Sequence, residues 1–402
     1  MINNETVELL LNLPDVKVLD FRVEKKRIEI LCELKRADNV CRNCGKTCST
    51  VNDTSERRLR DLNMADREVW LRLKVLQYVC KDCGTYRNES PVFADGGKSY
   101  THRQSRFIFE ICRKQTYVQT GAAVNMNAKT VERAVLRECE KRAAGSVEKG
   151  WEKVRRLGID EQSRGKGKRN YFCVLTDLDT GTVIEMLENR KKETIKSFFE
   201  ALDPQIRKRI TDVSCDLYAG YISLADEFFP DANVVLDRFH VVKLLNEPLD
   251  AHRKEMRKKD KSNPVYAQLK YVLFKRHHLM TDAESDCLEA AFATDKTLEA
   301  EYFKRERFHG ILDNNNDVSK ALHEINAWIA DVRTQGLSRF DGFLKTVERY
   351  GFKIANYVKD KVTNAATEGL NNLIRTVRRL SFGIPNFKHL RLRILALSDD
   401  FH

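Results

Sequence analysis

Hydrophobic positions change period along the chain, and each change marks a predicted element. The segments VRRLGIDE, YFCVLTDLDT and TVIEMLE are apolar or alternating over strand length, with a turn around Asp179 and Gly181, as in a hairpin or meander. RITDVSCD predicts another strand ending at Asp216, and YAGYISLADEFFP a short helix stopped by Pro230. NVVLDRFHVVKLL reads as a strand running into a helix. Strands alternating with helices in this way predict a sheet with helices packed on it.

Elsewhere the period is helical. In NAATEGLNNLIRTVRRLSFG, Ala366, Leu370, Leu373, Val377 and Leu380 form one apolar stripe. Asn364, Glu368, Asn371, Asn372, Arg375 and Arg379 lie off it, so the exposed face is polar and basic. Residues 249–344 are mostly helical in pattern. Their aromatics Trp328, Phe308 and Phe343 read first as core packing, and secondarily as supports for an unpaired DNA end. Residues 101–141 predict a helix over 104–114, a second over 118–124, a turn at Asn125-Met126-Asn127 and a third helix from Ala128. The third exposes Lys129, Arg133 and Arg137 at four-residue spacing, as a DNA-reading helix-turn-helix requires, although a connecting bundle with a basic solvated face has the same pattern.

Charge sharpens the choice of partner. Seventy-one Lys plus Arg against 59 Asp plus Glu leave a formal charge of +12, which favours a polyanion. Basic residues concentrate at Arg164, Lys166 and Lys168, in HRKEMRKKDK, and at Arg375 and Arg379. Contacts from such runs to phosphates would be salt-dependent and largely blind to base sequence. The chain of 402 residues is long enough for several domains, and no apolar run approaches the roughly 20 residues that span a bilayer.

Eleven cysteines and no leader-like segment fit reduced intracellular thiols better than disulfides. Cys41 with Cys44, and Cys80 with Cys83, are C-x₂-C pairs followed by Gly45 and Gly84, the form of a four-thiolate structural zinc site. Cys48 is a rival ligand, and Cys32, Cys112, Cys139, Cys173, Cys215 and Cys287 read as small buried residues.

Asp160 and Asp216 stand near predicted strand ends, with Glu161 on the opposite strand face from Asp160, and Glu368 stands on the polar face of the late helix. Carboxylates so gathered suit Mg²⁺ or Mn²⁺, and two ions about 4 Å apart assist phosphoryl transfer. Spacing alone equally permits ordinary strand-end and surface residues. Asp237 ends a strand and is the rival carboxylate, while His240 reads as a packed or supporting side chain.

The four-cysteine segment, the GIDE strand, CDLYAGY, DRFHVVKLLN and the NAATEGLNNLIRTVRRLSFG helix together resemble bacterial insertion-sequence transposases with an Asp-Asp-Glu core, and among them the ISL3 family. The resemblance runs through nearly the whole chain and is strongest at Asp237-Arg238-Phe239-His240 and in the late helix. It implies a multidomain α/β protein. Residues 1–92 would be a zinc-binding module and 93–150 a helix-turn-helix region. Residues 151–248 and 345–402 would form a ribonuclease-H-like catalytic core, interrupted by a helical insertion over 249–344. It further implies Asp160, Asp216 and Glu368 as catalytic ligands of Mg²⁺ or Mn²⁺, and Zn²⁺ on Cys41, Cys44, Cys80 and Cys83. Lys129, Arg133, Arg137, Arg164, Lys166, Lys168, Arg375 and Arg379 are the expected DNA contacts. The expected activity is hydrolysis at insertion-sequence ends, followed by attack of the freed 3′-hydroxyl on target DNA. Expected partners are double-stranded end and target DNA and further copies of the chain, with no membrane, in the bacterial cytoplasm at the nucleoid. A nuclease without strand transfer, or a DNA-binding regulator that has lost catalysis, are the alternatives.

Overall fold

The computed structural model describes residues 3–35, 39–163, 171–361, 365–381 and 386–398; the side chains at 145–149 and 365–368 lie outside the description. Two compact units are present, one of residues 1–142 with 379–383 and one of 143–378 with 384–402.

In the first unit, α1 (Asn4–Leu11), capped by Asn3, precedes β1 (Val16–Val23), β2 (Arg27–Leu34), β3 (Thr50–Met64), β4 (Arg67–Val79) and β5 (Tyr86–Asn88). The sheet runs β1-β2-β4-β3, with β5 also paired to β4. Alternation fixes its inner face: Val69, Leu71, Leu73 and Val75 of β4 are buried, in one apolar cluster with Val7 and Leu11 of α1. Then come α2 (His102–Cys112), α3 (Tyr117–Val124) and α4 (Ala128–Lys153), whose last turns from residue 143 belong to the second unit. Thr116 starts α3 with a reciprocal capping box shared with Gln119, and Asn125 ends it in the left-handed region at φ 51°. The three helices and the turn at residues 125–127 therefore stand where the apolar period places them.

The second unit opens with β6 (Arg156–Ser163), β7 (Tyr171–Asp177) and β8 (Thr182–Leu187), an antiparallel meander. Helices α5 (Lys192–Ala201) and α6 (Pro204–Arg209) lead to β9 (Asp212–Cys215), α7 (Ala219–Phe228) and β10 (Asn233–Leu236). The sheet order is β10-β9-β6-β7-β8, and β6, β9 and β10 are mutually parallel. Burial along them is nearly continuous, as in strands covered on both faces.

From β10 the chain enters α8 (Arg238–Lys259), α9 (Pro264–Val272), α10 (Asp282–Thr294), α11 (Lys296–Asn314), α12 (Val318–Thr334), α13 (Asp341–Ala355) and α14 (Tyr357–Asp360). Trp328, Phe308 and Phe343 are buried at the centre of this helical mass, with ring centroids 4.9–5.6 Å apart in edge-to-face contacts, and the Trp328 indole donates to the Lys304 carbonyl at 2.8 Å. They are core side chains, and their rings are closed to a DNA base. Helix α15 (Ala365–Leu380) buries Leu370, Leu373, Ile374 and Val377, and α16 (Phe387–Ser398) packs on β8. Among the described residues, no helix is long and apolar enough to cross a membrane.

Candidate functional site

Strand register builds the acidic site. Ile159 of β6 and Leu236 of β10 both pair with Cys215 of β9, so the next residues, Asp160, Asp216 and Asp237, reach the same end of three adjacent parallel strands. All three are buried. Strand β6 runs on to Ser163 beside β7, so Asp160 lies within its strand, although beyond the part that pairs with β9.

The first turn of α8 folds His240 back over this end. Its Nδ1 donates to Asp237 Oδ2 at 3.2 Å and stands 2.9 Å from Asp216 Oδ1, where no donor among the described residues is well aligned. Burial raises the Asp216 carboxyl to about 6, against the opposing attraction of the nearby His240. Burial alone would depress the His240 imidazolium; Asp216 and Asp237 outweigh it and hold His240 up at about 10. A cation between two buried carboxylates is thus already favoured here. One carboxylate oxygen is left without an aligned donor, and the oxygen-rich donor set fits a hard divalent ion.

The expectation of an Asp-Asp-Glu core is corrected by this arrangement. Among the described residues, the acidic group able to share one ion is Asp216, Asp237 and His240. The physical reason is the parallel pairing of β10 on β9, which sets Asp237 directly beside Asp216 and places His240 one helical turn later. The Glu368 side chain lies outside the described residues. Asp160 is one strand away, with its carboxylate accepting from the Asn371 amide at 3.0 Å and the Glu161 backbone at 2.7 Å. A repeated local pattern carried the signal for Asp237: DVSC followed by Asp216, and NVVL followed by Asp237.

The four expected cysteines do meet. Cys41 and Cys83 sulfurs lie 3.6 Å apart, and those of Cys44 and Cys80 3.5 Å apart. These separations are close to the edge of about 3.8 Å that a tetrahedron with Zn–S bonds of about 2.3 Å would have. Each C-x₂-C pair forms a knuckle of the same kind: the amides of Gly45 and Gly84 donate back to the carbonyls of Cys41 and Cys80, and both glycines hold φ at +71°, a conformation that side-chain-bearing residues resist. Lys46 bridges to Asp82 across the knuckles at 2.7 Å. Cys48 is buried beneath Cys41 and Cys80 against Tyr78, outside the four-sulfur group. The donor set is that of a structural zinc site.

Of the expected DNA contacts, Lys129, Arg133, Arg375 and Arg379 are exposed. Arg137 is half-buried and pairs with Asp95 at 2.7 Å. Arg164, Lys166 and Lys168 lie outside the described residues.

Residues 157–394 match the ISL3 family model described as a transposase, and residues 38–83 match the zinc finger of the IS204/IS1001/IS1096/IS1165 transposases. The chain is similar to the transposase for insertion sequence element IS1001 of Bordetella parapertussis, at 24% identity over 365 residues covering 89% of this chain and 88% of that protein. It is also similar to the transposase for IS1557 of Mycobacterium tuberculosis, at 25% identity over 255 residues covering 57% of each chain. With the family model spanning more than half of its length, the chain belongs to the ISL3 family of transposases.

Proposed function

We propose that the chain is a metal-dependent DNA transposase that cleaves insertion-sequence ends and joins the freed 3′-hydroxyls to target DNA. The observation that carries this reading is the delivery of Asp160, Asp216 and Asp237 to one sheet end, with His240 folded against the last two. Asp216 and Asp237 would hold the ion, His240 would orient their carboxylates, and Asp160 would add negative charge from the neighbouring strand. Bound Mg²⁺ or Mn²⁺ supplies Lewis-acid charge at a scissile phosphate and lowers the pKa of an attacking water. Asn371 holds the Asp160 carboxylate, and so ties α15 to the site.

Three antiparallel strands followed by two parallel ones, in the order β8-β7-β6-β9-β10, support a ribonuclease-H-like core, with residues 249–344 as the helical insertion. The tight turn from α3 into α4, with Lys129 and Arg133 exposed and Arg137 one turn on, supports recognition of end DNA by a helix-turn-helix. Zinc on the four cysteines would order the N-terminal module. Joining two ends would call for a dimer or larger assembly, and with DNA as substrate the chain would act in the bacterial cytoplasm at the nucleoid.

The test is cleavage and strand transfer on the element's own ends with Mg²⁺, comparing the native chain with Asp216→Asn at matched folding and DNA binding. Joined products lost in the variant support the proposal. Cleavage without joining would leave a nuclease, and binding without either would leave a regulator.

A further inference from the structure

The two adjacent strand-end aspartates are each followed, two residues on, by an exposed aromatic: Tyr218 after Asp216, 40% exposed, and Phe239 after Asp237, 69% exposed. Large rings are ordinarily withdrawn from water, as Trp328, Phe308 and Phe343 of the helical insertion are, although Tyr271 and Phe303 there are exposed. Tyr218 is nevertheless held in place. Its amide turns back to the Asp216 carbonyl at 2.7 Å, and Tyr221 meets its ring edge-on at 5.0 Å. The Arg190 guanidinium lies 5.1 Å from its centroid and 4.3 Å from that of Tyr171. Gly220 makes room for the ring: a Cβ there would stand 2.6 Å from Tyr218 Cε1. Phe239 meets the His240 imidazole edge-on at 5.3 Å and turns the rest of its ring to solvent.

We propose that Tyr218 and Phe239 are stacking surfaces for an unpaired nucleobase of the DNA strand that enters the Asp216–Asp237–His240 cluster. This rests on the functional reading above. Stacking on aromatic faces is tolerant of base identity and worth about 1–3 kcal/mol per base on alanine substitution, which is roughly 5- to 150-fold in affinity. Arg190 adds a positive charge beside Tyr218, and its ion pair with Glu161 fixes where that charge sits. Ring stacking next to the carboxylates would hold a strand unpaired at the phosphate to be cut, without reading its sequence.

The experiment measures affinity of the full chain for two versions of its element end, one fully paired and one with mismatched base pairs across the cleavage junction. The native chain binds the mismatched end at least about fivefold more tightly. Tyr218→Ala and Phe239→Ala, compared with the native chain at matched folding, each reduce that ratio of affinities. Tyr218→Phe and Phe239→Trp, which keep a ring, retain it. A native chain without the preference, or alanine variants that keep it, would overturn the proposal. The affinity ratio needs no cleavage, so absence of metal-dependent cutting would sink the functional reading separately.

Discussion

His240 folds back from the first turn of α8 to set its Nδ1 2.9 Å from Asp216 Oδ1, joining a helix start to the end of the neighbouring strand. The contact exists because Asp237, which precedes α8, ends the strand paired with that of Asp216. Metal affinity should therefore depend on His240 even if its ring never touches the ion. Groups that orient metal-binding carboxylates typically contribute 10- to 100-fold, so His240→Ala should weaken Mn²⁺ binding by about that factor. Calorimetric titration of the folded variant checks this, and native affinity would show that the histidine only packs.

The four sulfurs of Cys41, Cys44, Cys80 and Cys83 should hold one zinc per chain, whereas buried Cys48 should be dispensable for it. Metal analysis after chelator-free purification is expected to give full zinc in Cys48→Ser and a large loss in Cys80→Ser. Structural zinc sites of this kind contribute roughly 10 kcal/mol or more of apparent binding energy at neutral pH, so its removal should unfold the zinc module. Equal zinc in both variants would contradict the assignment.

Trp328 fills the space between Phe308 and Phe343, with its indole N–H satisfied by the Lys304 carbonyl. Trp328→Ala should cost about 3–5 kcal/mol of stability in urea unfolding. A variant as stable as the native chain would argue against the ring's place in the core.

His252 is buried between Glu301, 2.7 Å from Nδ1, and Asp295, 3.0 Å from Nε2. Burial disfavours its charged form, but the two carboxylates outweigh this and raise its pKa above the ordinary value. A raised folded-state pKa contributes stability that is fully present below the unfolded value of about 6.5 and is lost as pH rises through the folded value. The stability difference between the native chain and His252→Gln should shrink from pH 6 to pH 9. Unfolding midpoints at the two pH values test the sign, and a difference that grows with pH would contradict it.

Much of this architecture is legible in local patterns. The strands from β6 to β10 follow apolar runs, α3 and α4 meet at the residue-125 turn, and the two C-x₂-C pairs announce a shared site. Asp216 is readable as a strand-end acid for the same reason, whereas β6 runs on past Asp160 to Ser163. What local pattern does not carry is which strands lie side by side. Pairing of β10 with β9 spans an intervening helix, and it alone makes Asp237 and His240 neighbours of Asp216. Similarly, Arg137 has the spacing of a DNA contact, yet Asp95, far from it in sequence, takes up its charge. Buried and exposed aromatics also differ only through packing: Phe308 and Phe239 have the same side chain and opposite surroundings.

The most direct test of the account is the rate of Mg²⁺-dependent cleavage at the element's own end by Asp237→Asn, at DNA binding and folding matched to the native chain. Loss of a carboxylate that holds the ion should lower the rate by about 100-fold or more, since each tenfold corresponds to only about 1.4 kcal/mol of transition-state stabilisation. Cleavage at the native rate would show that the ion is held without Asp237 and would contradict the Asp216–Asp237–His240 site.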